Sequence, residues 1–152
     1  MKRYKIVILP GDGIGPEVME SALSVLDVIS RKYNFEIDLI YEVVGGKSID
    51  QYGVPITDSV LQSCLDSDAV LLGAVGGVKW DSFPQEKKPE KGLLRLREVL
   101  GLYSNLRPAK IFKPLADASS LKSEIIIDCD IMVVRELTGG IYFGIPRGFD
   151  EK

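Results

Sequence analysis

The chain has 152 residues, 45% of them hydrophobic and 27% charged, which is the composition of an ordinary folded protein and not of a disordered segment. Its net charge of -3 offers no electrostatic attraction for nucleic acid or an anionic membrane. The absence of histidine excludes Ser-His and Cys-His nucleophilic mechanisms, and Cys64 and Cys129 alone cannot form a usual zinc site. No apolar run is long enough for a signal-peptide core or a membrane span, so we expect a cytoplasmic protein with reduced cysteines.

The first half of the chain alternates predicted strands with predicted helices. Apolar runs and period-two patterning indicate the strands, whereas apolar residues at helical spacing indicate the helices. In the first helix this spacing places Val18, Ala22, Val25, Leu26 and Ile29 on the apolar face. The alternation predicts an α/β fold with a parallel sheet. The predicted elements are strands at residues 4–9, 35–43 and 69–72, and helices from 16 to about 32 and from 58 to 66.

The second half of the chain is less regular. Residues 78–92 contain Trp80 and two prolines, a composition that favours a long structured loop over a site. We predict a short helix at residues 93–100, an extended segment at 103–112 broken by Pro108, and a buried strand at 131–134. A change of domain near residues 100–103 gives a predicted first domain at 1–102 and the start of a second domain at 103–152.

The glycine-rich turn after the first strand has two interpretations. Such turns can bring phosphate to a helix amino terminus. Here the glycines follow a G-x-G-x-G spacing, and Asp12 and Glu17 would place negative charge where a pyrophosphate should lie. A tight structural turn is therefore favoured, and a phosphate cradle stays as the alternative.

Three arginines stand at the ends of predicted elements: Arg97, Arg107 and Arg135. A guanidinium group binds a carboxylate through two parallel hydrogen bonds, so the three could hold a small dicarboxylic acid. From spacing alone, three solvated surface arginines remain the simpler interpretation.

Five segments in order carry a resemblance to a known family, at residues 10–17, 72–81, 89–97, 105–110 and 134–144. Together they resemble the isocitrate/isopropylmalate family of β-decarboxylating dehydrogenases, and within it the 3-isopropylmalate dehydrogenases. The resemblance covers essentially the whole chain and implies its amino-terminal portion. It implies a layered α/β fold, incomplete in this chain, with a largely parallel sheet in the first domain.

The resemblance also implies roles for the substrate-binding residues. Arg97, Arg107 and Arg135 correspond to the clamp on the malate portion of the substrate. Leu93 and Leu94 correspond to the apolar wall for its isopropyl group, although they could equally be helix core. Tyr142 corresponds to the catalytic tyrosine that protonates the carbon left after decarboxylation.

The cofactor implied by the resemblance is NAD, together with Mg²⁺ or Mn²⁺. Ile14 and Glu90 correspond to residues beside the nicotinamide, although Ile14 could equally serve packing of the turn and Glu90 could be a solvated loop carboxylate. The metal-binding aspartates and the lysine base are expected beyond Lys152, and Asp128 and Asp130 do not replace them, so no metal ligand is predicted in this chain. The loop from Gly77 to Glu90 resembles the segment that lines that side of the cofactor. Its cofactor-binding candidates are Gly77, Val78, Lys79, Trp80 and Asp81.

The expected activity is the oxidation and decarboxylation of 3-isopropylmalate in leucine biosynthesis. The family resemblance also implies a homodimer and a chain too short to work alone. Alternatives are another β-decarboxylating dehydrogenase, acting on tartrate, isocitrate or homoisocitrate, or a non-catalytic remnant that binds dicarboxylates. A phosphate-binding regulatory domain is a third interpretation, which Asp12 and Glu17 disfavour.

Overall fold

The structure is a computed structural model that describes residues 2–137 and residue 139. The chain divides into two compact units, Met1–Leu100 and Gly101–Lys152, which are described separately. Their assignment to a cofactor-side domain at 1–102 and a second domain at 103–152 stays a prediction.

The first unit is built on a three-stranded parallel sheet in the order β2-β1-β3. The strands are β1 (Lys2–Gly11), β2 (Phe35–Tyr41) and β3 (Ala69–Ala74). In the register of the sheet, Ile8 of β1 lies opposite Tyr41 on one side and Leu71 on the other. The prediction of an α/β fold with a parallel sheet is confirmed.

Four helices belong to the first unit: α1 (Gly15–Tyr33), α2 (Gly46–Tyr52), α3 (Asp58–Leu65) and α4 (Glu90–Val99). At the start of α3 the Thr57 hydroxyl accepts a hydrogen bond from the Val60 amide at 3.4 Å, which satisfies one of the free amides of the first turn. Helix α2 is absent from the sequence-based prediction.

The core lies on both faces of β1, whose residues alternate between two apolar clusters. Ile6 and Ile8 pack with Met19 of α1 on one face. Val7 and Leu9 face the other cluster, which comprises Val44, Ile56, Val60, Leu61, Cys64 and Leu96. A continuous apolar run such as that of β1 is typical of a strand covered by helices on both sides.

Helix α1 meets the sheet with only part of the face that the apolar spacing predicts. Leu26 of that face packs against the core cluster. Val18 is 52% exposed and Val25 63% exposed, so the prediction of their burial is wrong. Met19 is buried and Leu23 packs against the same cluster. Two apolar stripes run along this helix, and periodicity gives the angle between residues but does not decide which stripe meets the sheet.

The second unit contains a two-stranded antiparallel sheet formed by β4 (Ser104–Lys110) and β5 (Asp130–Glu136). A short helix, α5 (Ser123–Ile126), lies between them in the chain. Pro108 lies within β4, opposite Met132, so the prediction that it breaks the extended segment is wrong. Both strands are edges among the described residues, and an edge strand accommodates proline.

Of the helices described, none is long and apolar enough to cross a membrane.

Candidate functional site

Loops that follow β1 and β3 meet at the carboxyl edge of the parallel sheet. The Asp12 amide donates to the Ala74 carbonyl at 2.7 Å, which closes one loop on the other. Ligands of open α/β sheets bind at this edge, outside the carboxyl ends of the strands. The edge is therefore the candidate site of the first unit.

The side chain of Asp12 lies at the centre of this edge and is 1% exposed. Its Oδ2 accepts hydrogen bonds from the Gly46 amide at 2.7 Å and the Gly76 amide at 2.9 Å. Its Oδ1 accepts one from the Lys47 amide at 2.9 Å. Backbone amides that could receive an external phosphate thus bind an internal carboxylate, which supports the interpretation of the glycine turn as structural.

The predicted cofactor loop folds into a 3-10 turn, Val78–Trp80, whose polar groups bind helix α2. The Trp80 Nε1 donates to Asp50 Oδ1 at 3.2 Å, and the Lys79 Nζ lies 2.6 Å from Asp50 Oδ2. These hydrogen bonds, that of Lys79 first, lower the pKa of the Asp50 carboxyl below its ordinary value of 3.8. Lys79 and Trp80 therefore fix the loop to α2, whereas Val78, 88% exposed, and the exposed Gly77 and Asp81 are accessible.

The ring of Trp80 also covers the first residue of α2. A Cβ added to Gly46 would lie 2.4 Å from three atoms of the indole, so the ring rests directly on the glycine. The same glycine donates its amide to Asp12. The amino end of α2 is thus held between a carboxylate and an aromatic ring.

Glu90, at the start of α4, lies beside the loop after β3. A Cβ built on Gly76 would come within 2.7 Å of the Glu90 Oε1, and Gly76 has a φ of +102° that favours glycine. Ile14, between the glycine turn and α1, is 57% exposed. A carboxylate and an exposed apolar side chain from the predicted nicotinamide set are therefore both at the surface of the first unit.

Helix α4 carries the predicted substrate residues along one side. Residues three and four apart on a helix are neighbours, so Glu90, Leu93, Leu94 and Arg97 form one stripe. Leu93, Leu94 and Arg97 are half-buried, whereas Leu96, on the other side, is buried in the core. Because Leu96 already packs α4 against the core, Leu93 and Leu94 are not needed as core residues.

Arg107 and Arg135 lie on one face of the two-stranded sheet in the second unit. Asn105 is opposite Arg135, and residues two apart in a strand share a face, so Arg107 is a diagonal neighbour of Arg135. The Arg107 Nε donates to Asn105 Oδ1 at 3.2 Å. Arg107 is exposed and Arg135 half-buried.

The predicted site residues thus fall into two groups. The cofactor-side residues and Arg97 belong to the first unit, and Arg107 and Arg135 belong to the second. Tyr142 lies outside the described residues. Within residues 2–137 and 139, no three His, Cys, Asp or Glu side chains are placed to hold a metal ion.

Sequence reasoning missed the connecting role of Asp12 and Asp50. The charge of Asp12 is evident in the glycine turn, but its amide partners lie 34 or more residues away. Asp50 belongs to a helix that the sequence pattern does not reveal. The signal available was the adjacent pair Gly45 and Gly46, which marks a close approach of backbone.

The sequence pattern of a family described as isocitrate/isopropylmalate dehydrogenase matches residues 5–152. The chain is 58% identical over 149 residues to a 3-isopropylmalate dehydrogenase of Chlorobium luteolum, covering 98% of this chain and 42% of that protein. A protein of the same name from Aquifex aeolicus is 53% identical over 152 residues, 100% of this chain and 42% of that protein. The chain spans about two fifths of the length of these curated relatives.

Solved structures of related proteins share the fold. An isocitrate dehydrogenase from Methylococcus capsulatus matches 93% of this chain and 37% of its own with a TM-score of 0.72 at 27% identity. A β-decarboxylating dehydrogenase from Thermococcus kodakarensis matches 88% of this chain and 33% of its own with a TM-score of 0.64 at 30% identity.

Proposed function

The chain belongs to the isocitrate/isopropylmalate dehydrogenase family, and we propose from this premise that it forms part of a 3-isopropylmalate dehydrogenase. The reaction would be the NAD-dependent oxidation and decarboxylation of 3-isopropylmalate to 2-oxoisocaproate in leucine biosynthesis. The observation that carries the proposal is the identity of 58% over 98% of the chain with a protein of that name. The chain would be its amino-terminal part.

The malate portion of the substrate would be bound by arginines. Arg107 and Arg135 share one face of a two-stranded sheet, and diagonal neighbours there have Cα atoms about 7–8 Å apart. Two guanidinium groups at that separation can both reach one small dianion, on which each can bind a carboxylate through parallel hydrogen bonds. Arg97 would bind the same dianion and orient the C2–H bond of the substrate.

The isopropyl group would contact Leu93 and Leu94. Both leucines are half-buried on the stripe of α4 that also carries Arg97. An apolar pair beside a positive charge suits a substrate that has an alkyl branch next to a carboxylate. An additional carboxylate at this position, as in isocitrate, would lose its hydration without gaining a polar partner from these two side chains.

The nicotinamide side of NAD would lie against Ile14, Val78 and Glu90. When bound, NAD would accept the hydride from C2 of the substrate. Two exposed apolar side chains fit an aromatic ring, and the Glu90 carboxylate suits the hydroxyls of the adjoining ribose. The amides around Asp12 already bind that carboxylate, so we propose that the pyrophosphate is held elsewhere.

The remaining chemistry would come from residues outside the described part of the chain. Tyr142 would donate a proton from its phenol to the carbon left by decarboxylation. The ligands of the Mg²⁺ or Mn²⁺ ion and the lysine base would lie outside this chain. We therefore expect the 152 residues alone to be inactive, and the complete enzyme to be a homodimer.

A fusion of residues 1–152 to the remainder of the Aquifex aeolicus relative tests the activity. NADH formation would be measured with 3-isopropylmalate, isocitrate, homoisocitrate and tartrate in the presence of Mg²⁺, and the oligomer by light scattering. We expect turnover of 3-isopropylmalate by the fusion and none by the isolated chain. A folded fusion that uses only one of the other three acids would refute the proposed substrate.

Two arginines of the same helix provide a matched test of the clamp. Arg97→Gln in the fusion would lower kcat/KM for 3-isopropylmalate by about 10²- to 10³-fold, because a charge-binding donor is lost. Arg95 lies on another side of α4, where its guanidinium contacts Asp58 at 2.5 Å. Arg95→Gln should leave kcat/KM within about twofold of the parent, since exposed ion pairs contribute little. Equal losses in both variants would contradict the role of Arg97.

A non-catalytic remnant that binds dicarboxylates is the second candidate function. It is favoured by one observation: Arg107 and Arg135, two groups that bind carboxylates, lie on a common face of the two-stranded sheet. Calorimetric titration of the isolated chain with 3-isopropylmalate would detect it. Binding without turnover in either the chain or the fusion would favour the remnant over the enzyme.

A further inference from the structure

We infer that Asp12 is a positioning residue for the cofactor: it holds the loop after β3 so that Gly76 and Glu90 present the nicotinamide surface. The inference rests on the proposed function and deepens it. Asp12 would act by binding backbone amides and not by contacting the substrate.

The donors around the Asp12 carboxylate come from two distant segments of the chain. The amides of Gly46 and Lys47 start α2, and the amide of Gly76 follows β3, about 30 residues later in the chain. One buried carboxylate thus joins the start of α2 to the loop after β3, which are distant from each other in the sequence. Hydrogen bonds to an ionised acceptor are roughly twice as strong as neutral ones. Asp12 is therefore a strong determinant of the distance between these segments.

Gly76, which donates its amide to Asp12, also lies beside Glu90. The α carbon of Gly76 lies so near the Glu90 carboxylate that a Cβ would meet Oε1 at 2.7 Å. A displacement of the Gly76 amide from Asp12 therefore changes the space available to Glu90. Because Glu90 is exposed, its side-chain orientation has few other restraints from burial.

The other end of the loop after β3 is attached to α2 through Trp80. Trp80 packs on Gly46 and donates a hydrogen bond to Asp50, both of α2. Helix α2 therefore binds both the Asp12 carboxylate and the 3-10 turn. Asp12 at one end and Asp50 at the other hold residues 76–80 against one short helix. The exposed Val78 lies between these two attachments.

Replacement of Asp12 by asparagine in the fusion tests the inference. Asparagine has the same shape, but its NH₂ group must face at least one of the three amides, so at least one hydrogen bond is lost. We expect the KM for NAD to rise and kcat/KM for NAD thereby to fall about 10²-fold, since a misplacement of about 1 Å has that effect. The KM for 3-isopropylmalate should stay within about twofold of the parent.

Two further variants separate positioning from general stability. Val60→Ala removes a buried methyl pair from the core cluster on α3 and should lower Tm without changing the KM for NAD. Gly76→Ala leaves Asp12 intact but places a Cβ against Glu90, so it should raise the KM for NAD as Asp12→Asn does. This second variant keeps the test valid if Asp12→Asn fails to fold.

The outcomes distinguish the inference from the proposed function. An active fusion in which Asp12→Asn and Gly76→Ala lower Tm but keep the parental KM for NAD refutes the positioning role alone. A fusion that folds but does not reduce NAD with 3-isopropylmalate refutes the proposed function and this inference with it. A selective loss toward NAD in both variants, absent from Val60→Ala, supports the inference.

Discussion

Two glycines of one turn should respond very differently to the same substitution. A Cβ on Gly15, the first residue of α1, would lie 2.1 Å from the Pro10 carbonyl oxygen and 2.8 Å from the Ala74 amide nitrogen. Both obstacles are backbone atoms at the ends of β1 and β3, which cannot rotate away. Gly13 has a φ of +53°, and its Cβ would meet nothing within 4 Å.

The expected losses in the free energy of unfolding follow from these distances. Gly13→Ala adds a left-handed alanine, which costs about 1–2 kcal/mol, less about 0.4–1 kcal/mol for the reduced freedom of the unfolded chain. The net loss is about 1 kcal/mol. Gly15→Ala forces α1 away from the sheet, and overpacking of this kind costs about 3 kcal/mol at the upper end of its range. Alanine is the better helix former, so only the steric conflict can give this sign.

Urea unfolding followed by far-UV circular dichroism measures both losses with the slope m as an internal check. The parent chain and the two variants would be compared at the same protein concentration. A Gly15→Ala variant as stable as Gly13→Ala would refute the claim that α1 contacts the strand ends through a glycine. It would also reopen the interpretation of the turn as a ligand cradle.

Three further measurements test local features. Burial raises the pKa of the Cys64 thiol to about 11, so a thiol reagent at pH 8 should label Cys129 first, and Cys64 only after unfolding; rapid labelling of native Cys64 would contradict its burial. Asp50→Asn should alter the fluorescence of Trp80, the only tryptophan, and acid should do the same in the parent. The Asp50 pKa is lowered on folding, so its contribution is present above pH 3.8 and is lost as the pH falls through the lower value. Thr57→Ala should cost about 1 kcal/mol, unlike a neutral exposed Ser→Ala change.

Strong local signals predicted the regular part of the first unit. The apolar run of β1 and the cap at Thr57 are short-range features, and each led to the correct element. Helix α2 has only Ile49 as a buried large apolar residue and follows two glycines, so nothing in its own sequence indicates a helix. Contacts from Asp12 and Trp80 stabilise it, and these partners are distant in the chain.

The sequence offers candidate site residues but not the contacts between them. The family resemblance implies roles for Glu90 and the three arginines, which stay predictions, whereas composition and spacing could not assign the amides that bind Asp12. The negative charge of the turn predicts that a phosphate is disfavoured there, and the hydrogen bonds of Asp12 to nearby amides support this interpretation. The carboxylate of Asp12 itself binds the amides of Gly46, Lys47 and Gly76. Only the folded structure shows this, because these amides are distant from Asp12 in the sequence.

The anion bound at the glycine turn, the Asp12 carboxylate, is covalently part of the chain. Dissolved phosphate or nucleotide must compete with a carboxylate whose local concentration is fixed by the fold and independent of the buffer. The amides of Gly46 and Gly76 are thus saturated before any ligand arrives. We therefore expect the turn to keep its shape across salts and buffers, without an ordering of its backbone when a cofactor binds.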